Sequence, residues 1–181
     1  MIFWSELAGL DTSRFLLRPL VPADAGDLFA HLSDPDVTQF MDIDPLERQE
    51  QAVTIIEWAQ DLRGEGHGVR FAIRTREDGQ FIGSCGFNSI VVERGCRGEV
   101  AYDLKRAWWG RGVMAEIMPA LIDMGFTRLG LQRLEALVTP GNERSCRLLE
   151  HLRDVCVYWR GPLGLWRALS SHGNDPRRPF Y

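Results

Sequence analysis

Lysine is nearly missing from this chain: Lys105 is the only one among 21 lysine and arginine residues. Lysine codons are AT-rich, so the bias fits a GC-rich genome better than a need for guanidinium groups. A surplus of positive charge is also missing. The net charge of −4 gives no support for a nucleic-acid surface. No apolar run approaches the length that spans a bilayer. The start, Met-Ile-Phe-Trp-Ser-Glu, has no basic segment followed by a long apolar stretch, so no signal peptide is expected. Paired cysteines are absent too: Cys85, Cys96, Cys146 and Cys156 form no C-x-x-C and match no zinc spacing. They read as free thiols in a reducing cytoplasm. His31, His67, His151 and His172 are scattered, so no metal site is expected. What remains is an ordinary globular composition, 45% hydrophobic and 25% charged over 181 residues, enough for one domain with a real core.

The organising stretch runs from Glu99 to Glu116. A β-prone run, Val100 to Leu104, leads into a turn with Gly110 and Gly112, and a helical pattern starts at once. Free N–H groups of a first helical turn and the helix dipole attract an anion, and glycines let it come close. Arg111 adds a guanidinium that can fork onto phosphate. The turn is neither a P-loop nor a dinucleotide fingerprint, because no Gly-Lys-Ser/Thr follows and the third glycine is missing. Glu116 in the first helical turn reads equally as a dipole-stabilising carboxylate or a substrate contact.

Upstream, Arg14–Pro19 reads as a strand and Pro22–Leu32 as a helix, with a break at Asp34-Pro-Asp. Pro45–Leu62 reads as a second helix with Ile55, Trp58, Ala59 and Leu62 on its buried face. Arg70–Thr75 and Phe81–Ile90 form a hairpin around Asp78-Gly79. Downstream come a helix over about Gly112–Leu129, a strand Leu134–Val138 and a short helix Glu143–Leu152. The expected class is α+β: a mixed central sheet, antiparallel meander first, flanked by about four helices.

These residues, in this order, resemble the GCN5-related N-acetyltransferases (GNAT), in particular the RimJ/RimL-like branch that acetylates ribosomal-protein N-termini. The matching segments are Thr12-Ser-Arg-Phe-Leu-Leu-Arg-Pro-Leu20, Asp34-Pro-Asp-Val-Thr38, Trp108-Trp-Gly-Arg-Gly-Val-Met-Ala-Glu116 and Asn142-Glu-Arg-Ser-Cys-Arg-Leu-Leu-Glu-His-Leu152. They cover roughly residues 12–152. The resemblance implies a GNAT fold, with strand Val100–Leu104 splayed from strand Leu134–Val138. It implies that acetyl-CoA is the co-substrate, with its pantetheine arm bonded to main chain near Tyr102 and Leu104. The pyrophosphate is expected on the N–H groups of Trp109, Gly110, Arg111, Gly112, Val113 and Met114, with Asn142 and Ser145 closing the site. Direct transfer of the acetyl group to a primary amine needs a base, for which Glu99 is the candidate; its other reading is a solvated strand-end carboxylate. Leu149 occupies the position where many relatives carry a tyrosine acid, which leaves Ser145 or water to protonate the sulfur.

Three departures qualify the resemblance. Met114 replaces a small residue and is expected to crowd the pyrophosphate. Pro119 lies inside the helix and is expected to kink it. After Leu152 the family's Gly-Phe and two strands are replaced by a divergent tail, 153–181, in which only Val155–Trp159 reads as a strand. The tail is either native or the product of a reading-frame shift near codon 152. One encoding of Ala168-Leu-Ser-Ser-His-Gly-Asn-Asp-Pro176, read one base later, gives Arg-Tyr-His-His-Met-Glu-Thr-Ile-Leu, which is like the family's last strand. A shifted frame would remove a strand or two from the sheet. The chain is thus expected to be one N-acetyltransferase domain over residues 1–181, cytoplasmic, with an acceptor that is a protein N-terminus or a small amine. No nucleic-acid or membrane partner is expected, and a homodimer is left open. The competing reading is a catalytically weak or silent acyl-CoA-binding module.

Overall fold

The computed structural model describes residues 7–92 and 96–152, together with the backbone of Val155–Arg160 and Trp166–Ser170. In chain order the elements are β1 (Leu10–Asp11), β2 (Phe15–Pro19), α1 (Ala25–Leu32), α2 (Pro35–Thr38), α3 (Gln49–Glu65), β3 (Val69–Thr75), β4 (Phe81–Val91) and β5 (Arg97–Leu104). Then follow α4 (Val113–Thr127), β6 (Arg133–Val138), α5 (Glu143–Glu150), β7 (Val155–Arg160) and β8 (Trp166–Ser170). The eight strands form one sheet in the order of the sequence. The first five are antiparallel neighbours, β5–β6 and β6–β7 are parallel, and β7–β8 is antiparallel. The α+β class and the mixed sheet are as expected, with four longer helices and one single-turn helix.

Two cores sandwich the sheet. On one face α4 lays Val113, Ile117, Leu121 and Met124 against Phe71, Ile82, Phe87 and Val100. On the other, α1 and α3 pack Leu28, Leu32, Ala52, Ile56 and Ala59 over Ala72 and Phe81. Strand alternation divides β5 between these faces. Val100, Tyr102 and Leu104 belong with α4, while Glu99, Ala101 and Asp103 face α1 and α3.

Local chemistry moves several boundaries. The second helix starts at Gln49 rather than Pro45, because the Gln51 side chain accepts the Glu47 and Arg48 N–H groups, both at 2.9 Å. It ends where Gly66 turns left-handed at φ 76°. Of the face expected to be buried, Ala59 is in the core, beside Ala52 and Ile56, and Ile55 is partly buried, while Trp58 is 43% exposed. The break at Asp34-Pro-Asp is a single helical turn, capped by the Asp34 carboxylate accepting the Asp36 N–H at 3.0 Å. Pro119 leaves α4 continuous from Val113 to Thr127; the Ala115 carbonyl that loses its donor belongs to an exposed residue that water can serve. The Met114 side chain packs into the α4 core, 7% exposed, and also borders the cleft.

The tail adds strands instead of removing them. β7 pairs in parallel with β6 from Leu134↔Val155 to Val138↔Trp159, and β8 returns beside β7. The turn-like sequence from Asn174 to Pro179 lies outside the described residues.

Candidate active site

The parallel register of β5 and β6 holds at only three positions, ending at Glu99↔Glu135. Beyond it the strands part, and a V opens along Val100–Leu104 and Ala136–Val138. Hydrogen-bond alternation decides which groups line that V. The Lys105 N–H bonds the Ile82 carbonyl at 2.7 Å, so β5 residues of that parity are tied to β4. The main-chain groups of Tyr102 and Leu104 therefore face the side that β6 has left. One lone pair of the Leu104 carbonyl is already occupied, by the Trp109 indole N–H at 2.8 Å.

At the wide end sits the glycine turn. Gly110 and Gly112 are left-handed, at φ 71° and 69°, a conformation that side chains resist. The Trp109 amide is used by the Arg106 carbonyl at 3.2 Å, closing a 3-10 turn, so the run of open amides begins at Gly110 rather than at Trp109. From Gly110 to Ala115 no amide finds a main-chain acceptor among the described residues. Two guanidinium groups stand close: Arg111 over Trp108 at 5.3 Å and Arg144 over Trp109 at 4.2 Å. Open amides, a helix start and arginines suit a pyrophosphate.

The turn has a brace that the sequence did not reveal. The Glu116 carboxylate accepts the Arg14 backbone N–H at 2.8 Å, the Arg14 Nε–H at 2.6 Å and the Thr12 hydroxyl at 2.7 Å. The Arg14 guanidinium in turn donates to the carbonyls of Arg111 and Gly112, at 3.2 and 3.3 Å. Burial pushes the Glu116 carboxyl up, but these donors outweigh it and hold it below its ordinary value. Glu116 is thus a fastener between β2 and the turn. Glu116→Gln is expected to weaken acetyl-CoA binding about threefold to tenfold, the scale of one partly exposed ion pair, read by calorimetry.

At the narrow end stands Glu99, half-buried, on the α1/α3 face of β5. Burial pushes its carboxyl above the ordinary value, and the Glu135 charge across the strand pair pushes the same way. These outweigh the Asn88 side chain, Arg97 and Arg70, which favour the charged form. Asn88 reaches Glu99 because β4 bulges there, between Phe87↔Val100 and Ser89↔Glu99. Glu135 itself is bound by Arg97 at 2.9 Å and Arg133 at 2.6 Å.

On the opposite face of β5 the Tyr102 hydroxyl and Ser145 Oγ are 2.6 Å apart. Burial pushes the Tyr102 phenol up to about 12, so it stays protonated at neutral pH. Ser145 is held by α5, whose first turn is capped by the Asn142 side-chain oxygen accepting the Ser145 N–H at 3.2 Å. Tyr102 entered the sequence reading only for its main chain; its phenol was missed.

Also missed was a buried ionic cluster under the same cleft. Asp103 is bound by His31 Nε2 at 2.7 Å, Arg70 Nη2 at 2.8 Å and the Ser84 hydroxyl at 2.7 Å. Arg70 also bonds the Ser84 hydroxyl, and its other arm donates to Asn88 at 3.2 Å. Burial pushes the Asp103 carboxyl up, but His31, Arg70 and Ser84 outweigh it and hold it at about 2.

One cavity of about 1030 Å³ connects these parts, from Gly110, Gly112 and Ser145 through Tyr102 to Glu99, Asn88 and Arg70. A model of the acetyltransferase (GNAT) domain matches residues 14–153. The chain belongs to the GNAT acetyltransferase family. It is therefore an acyltransferase of the acetyl-CoA-dependent N-acetyltransferase kind. The uncharacterized N-acetyltransferase p20 of Bacillus licheniformis is 45% identical over 143 residues, 79% of this chain and 80% of that protein. Among solved structures, an acetyltransferase of Agrobacterium tumefaciens is 28% identical with a TM-score of 0.66, covering 80% of this chain and 81% of that one. RimJ of Mycobacterium smegmatis, solved with a CoA disulfide, shares the fold at 20% identity and a TM-score of 0.68, over 76% of this chain and 68% of that one. The GNAT match stops where the divergent tail begins. All eleven residues assigned to cofactor or catalysis from sequence border the cleft or its glycine turn, although the Trp109 amide is taken by the Arg106 carbonyl.

Proposed function

We propose that this chain moves an acetyl group from acetyl-CoA directly to a primary amine, with Glu99 as base and the Ser145–Tyr102 pair as proton donor to sulfur. The carrying observation is the pairing of opposite proton roles across one strand. Glu99 has a raised carboxyl on one face of β5, and Tyr102 keeps its proton on the other. The open amides from Gly110 to Ala115 would hold the pyrophosphate, and the unpaired β5 edge at Tyr102 and Leu104 would hold the pantetheine arm as an added strand.

The amine enters as an ammonium and gives a proton to Glu99. Its lone pair forms the C–N bond, the C–S bond breaks, and the electron pair goes to sulfur. The sulfur takes a proton from Ser145, refilled from Tyr102. The nitrogen loses its second proton as the amide forms; of the two protons released by nitrogen one returns to Tyr102 and the other leaves to solvent. A base needs Glu99 ionised, so kcat/KM for the amine should rise with pH through the Glu99 pKa. Because that pKa is raised, the acid limb should lie above the ordinary carboxylate range.

The acceptor is an amine of protein or small-molecule origin. Acetyl-CoA should raise the melting temperature of the protein, and thiol release in the presence of amines should follow. Stabilisation by acetyl-CoA without thiol release from any amine would replace the enzyme by a silent acyl-CoA-binding module.

A further inference from the structure

The acceptor half of the cleft is mainly apolar in its walls, where Asp36 and Asp42 already have partners, and carries at its floor a carboxylate with no ion pair among the described residues. Its walls come from two helices and the loop after α2: Leu28 and Leu32 from α1, Phe40 and Met41 after α2, Ile55 and Trp58 from α3. The mouth exposes apolar surface as well, with Trp58 43% and Ile43 37% exposed. The floor is polar, but most of it is mutually satisfied. Asp103 is held by His31, Arg70 and Ser84, and Arg70 by Asp103, Ser84 and Asn88. Glu99 is the floor carboxylate that makes no ion pair among the described residues.

We infer that the acceptor is a small monoamine with an apolar body, its single ammonium directed at Glu99 and its body against Trp58, Ile55 and Met41. The inference rests on the acetyl-transfer reading above. A polyamine or aminoglycoside would bring further ammonium groups, but the other carboxylates of the lining are already taken, Asp36 by Arg106 and Asp103 by Arg70 and His31, and Asp42 is engaged as well. Desolvating unpaired charges is costly. A peptide N-terminus would bring backbone amides that need donors and acceptors along the same walls. An aryl or alkyl body removes apolar wall and ligand surface from water together.

The test compares phenethylamine, spermidine, kanamycin and a Ser-initiated tetrapeptide in a thiol-release assay at saturating acetyl-CoA. Phenethylamine should give a kcat/KM at least about tenfold above the others, and Trp58→Ala should raise its KM about tenfold without changing the affinity for acetyl-CoA. A preference for spermidine, kanamycin or the peptide overturns the inference. If acetyl-CoA stabilises the protein but no amine turns over, calorimetry of phenethylamine with the CoA-loaded protein decides. Binding that Trp58→Ala weakens supports the acceptor class while the catalytic reading falls; no binding overturns the class. If acetyl-CoA does not stabilise the protein at all, both readings fall together.

Discussion

Asp103→Ala is expected to lower unfolding stability by about 3–5 kcal/mol, the scale of breaking a buried ion pair from one side. Asp103 has 6% side-chain exposure and Arg70 8%, so the guanidinium left behind would keep its charge away from water with only Ser84 and Asn88 as partners. His31, buried on α1, would lose its bond as well; its Nδ1 already has no partner among the described residues. A domain of this size holds only about 5–15 kcal/mol in total, so the variant should sit near its folding threshold. Urea melts should show a lower midpoint with an unchanged slope. A loss under about 1 kcal/mol would mean that the cluster is not what compensates Arg70. Replacing all three groups, as His31→Leu, Arg70→Met and Asp103→Leu, should recover most of the loss, because no buried charge is then left alone. The same cluster sets an acid limit. The Asp103 pKa lies at about 2 against an ordinary 3.8. Its contribution is therefore fully present above pH 3.8 and is lost as pH falls through about 2.

Glu99→Gln is expected to reduce kcat/KM for the amine about 10²- to 10⁴-fold, the usual contribution of a positioned general base. The glutamine keeps the size and can still meet Asn88, so the fold and the affinity for acetyl-CoA should hold. The acid limb of the pH profile should disappear with the carboxylate. A variant that keeps both its activity and its pH profile would remove Glu99 from the mechanism. Stability should rise slightly if it changes at all, since burial and Glu135 both oppose the Glu99 charge in the folded state.

What could be read from the sequence was what local rules encode. Gly110 and Gly112 announce positive φ, and Val113-x-x-x-Ile117-x-x-x-Leu121 announces a buried helical stripe; each needs only a few neighbouring residues. The groups that were missed meet across long stretches of chain. Arg70 and Asp103 are 33 residues apart, His31 and Asp103 72, Tyr102 and Ser145 43, and Arg14 and Glu116 102. Their pairing depends on sheet register and on which face each strand residue takes, which spacing alone does not give. The error on α3 has a different cause. That helix carries two apolar stripes, one against the sheet at Ala52, Ile56 and Ala59 and one in the cleft at Ile55 and Trp58. Periodicity finds stripes but does not say which of them meets a core and which meets a ligand.

The strand order, in which every strand lies beside its predecessor, also sets a timetable for assembly. During synthesis from the N-terminus, each strand emerges with its partner already present, so pairing needs mostly short loop closures, and these are the fast ones. By the time Leu104 has left the ribosome, the strands and helices that form the acceptor chamber are all available. The phosphate turn, α4 and β6 come later. The acceptor walls are therefore synthesised before the coenzyme platform, but the sheet face that α4 covers stays bare, and the Phe40 carbonyl lacks its Thr139 partner, until the later segments arrive. Ligand can act on folding only at the last stage, by drawing the finished V into its native spacing.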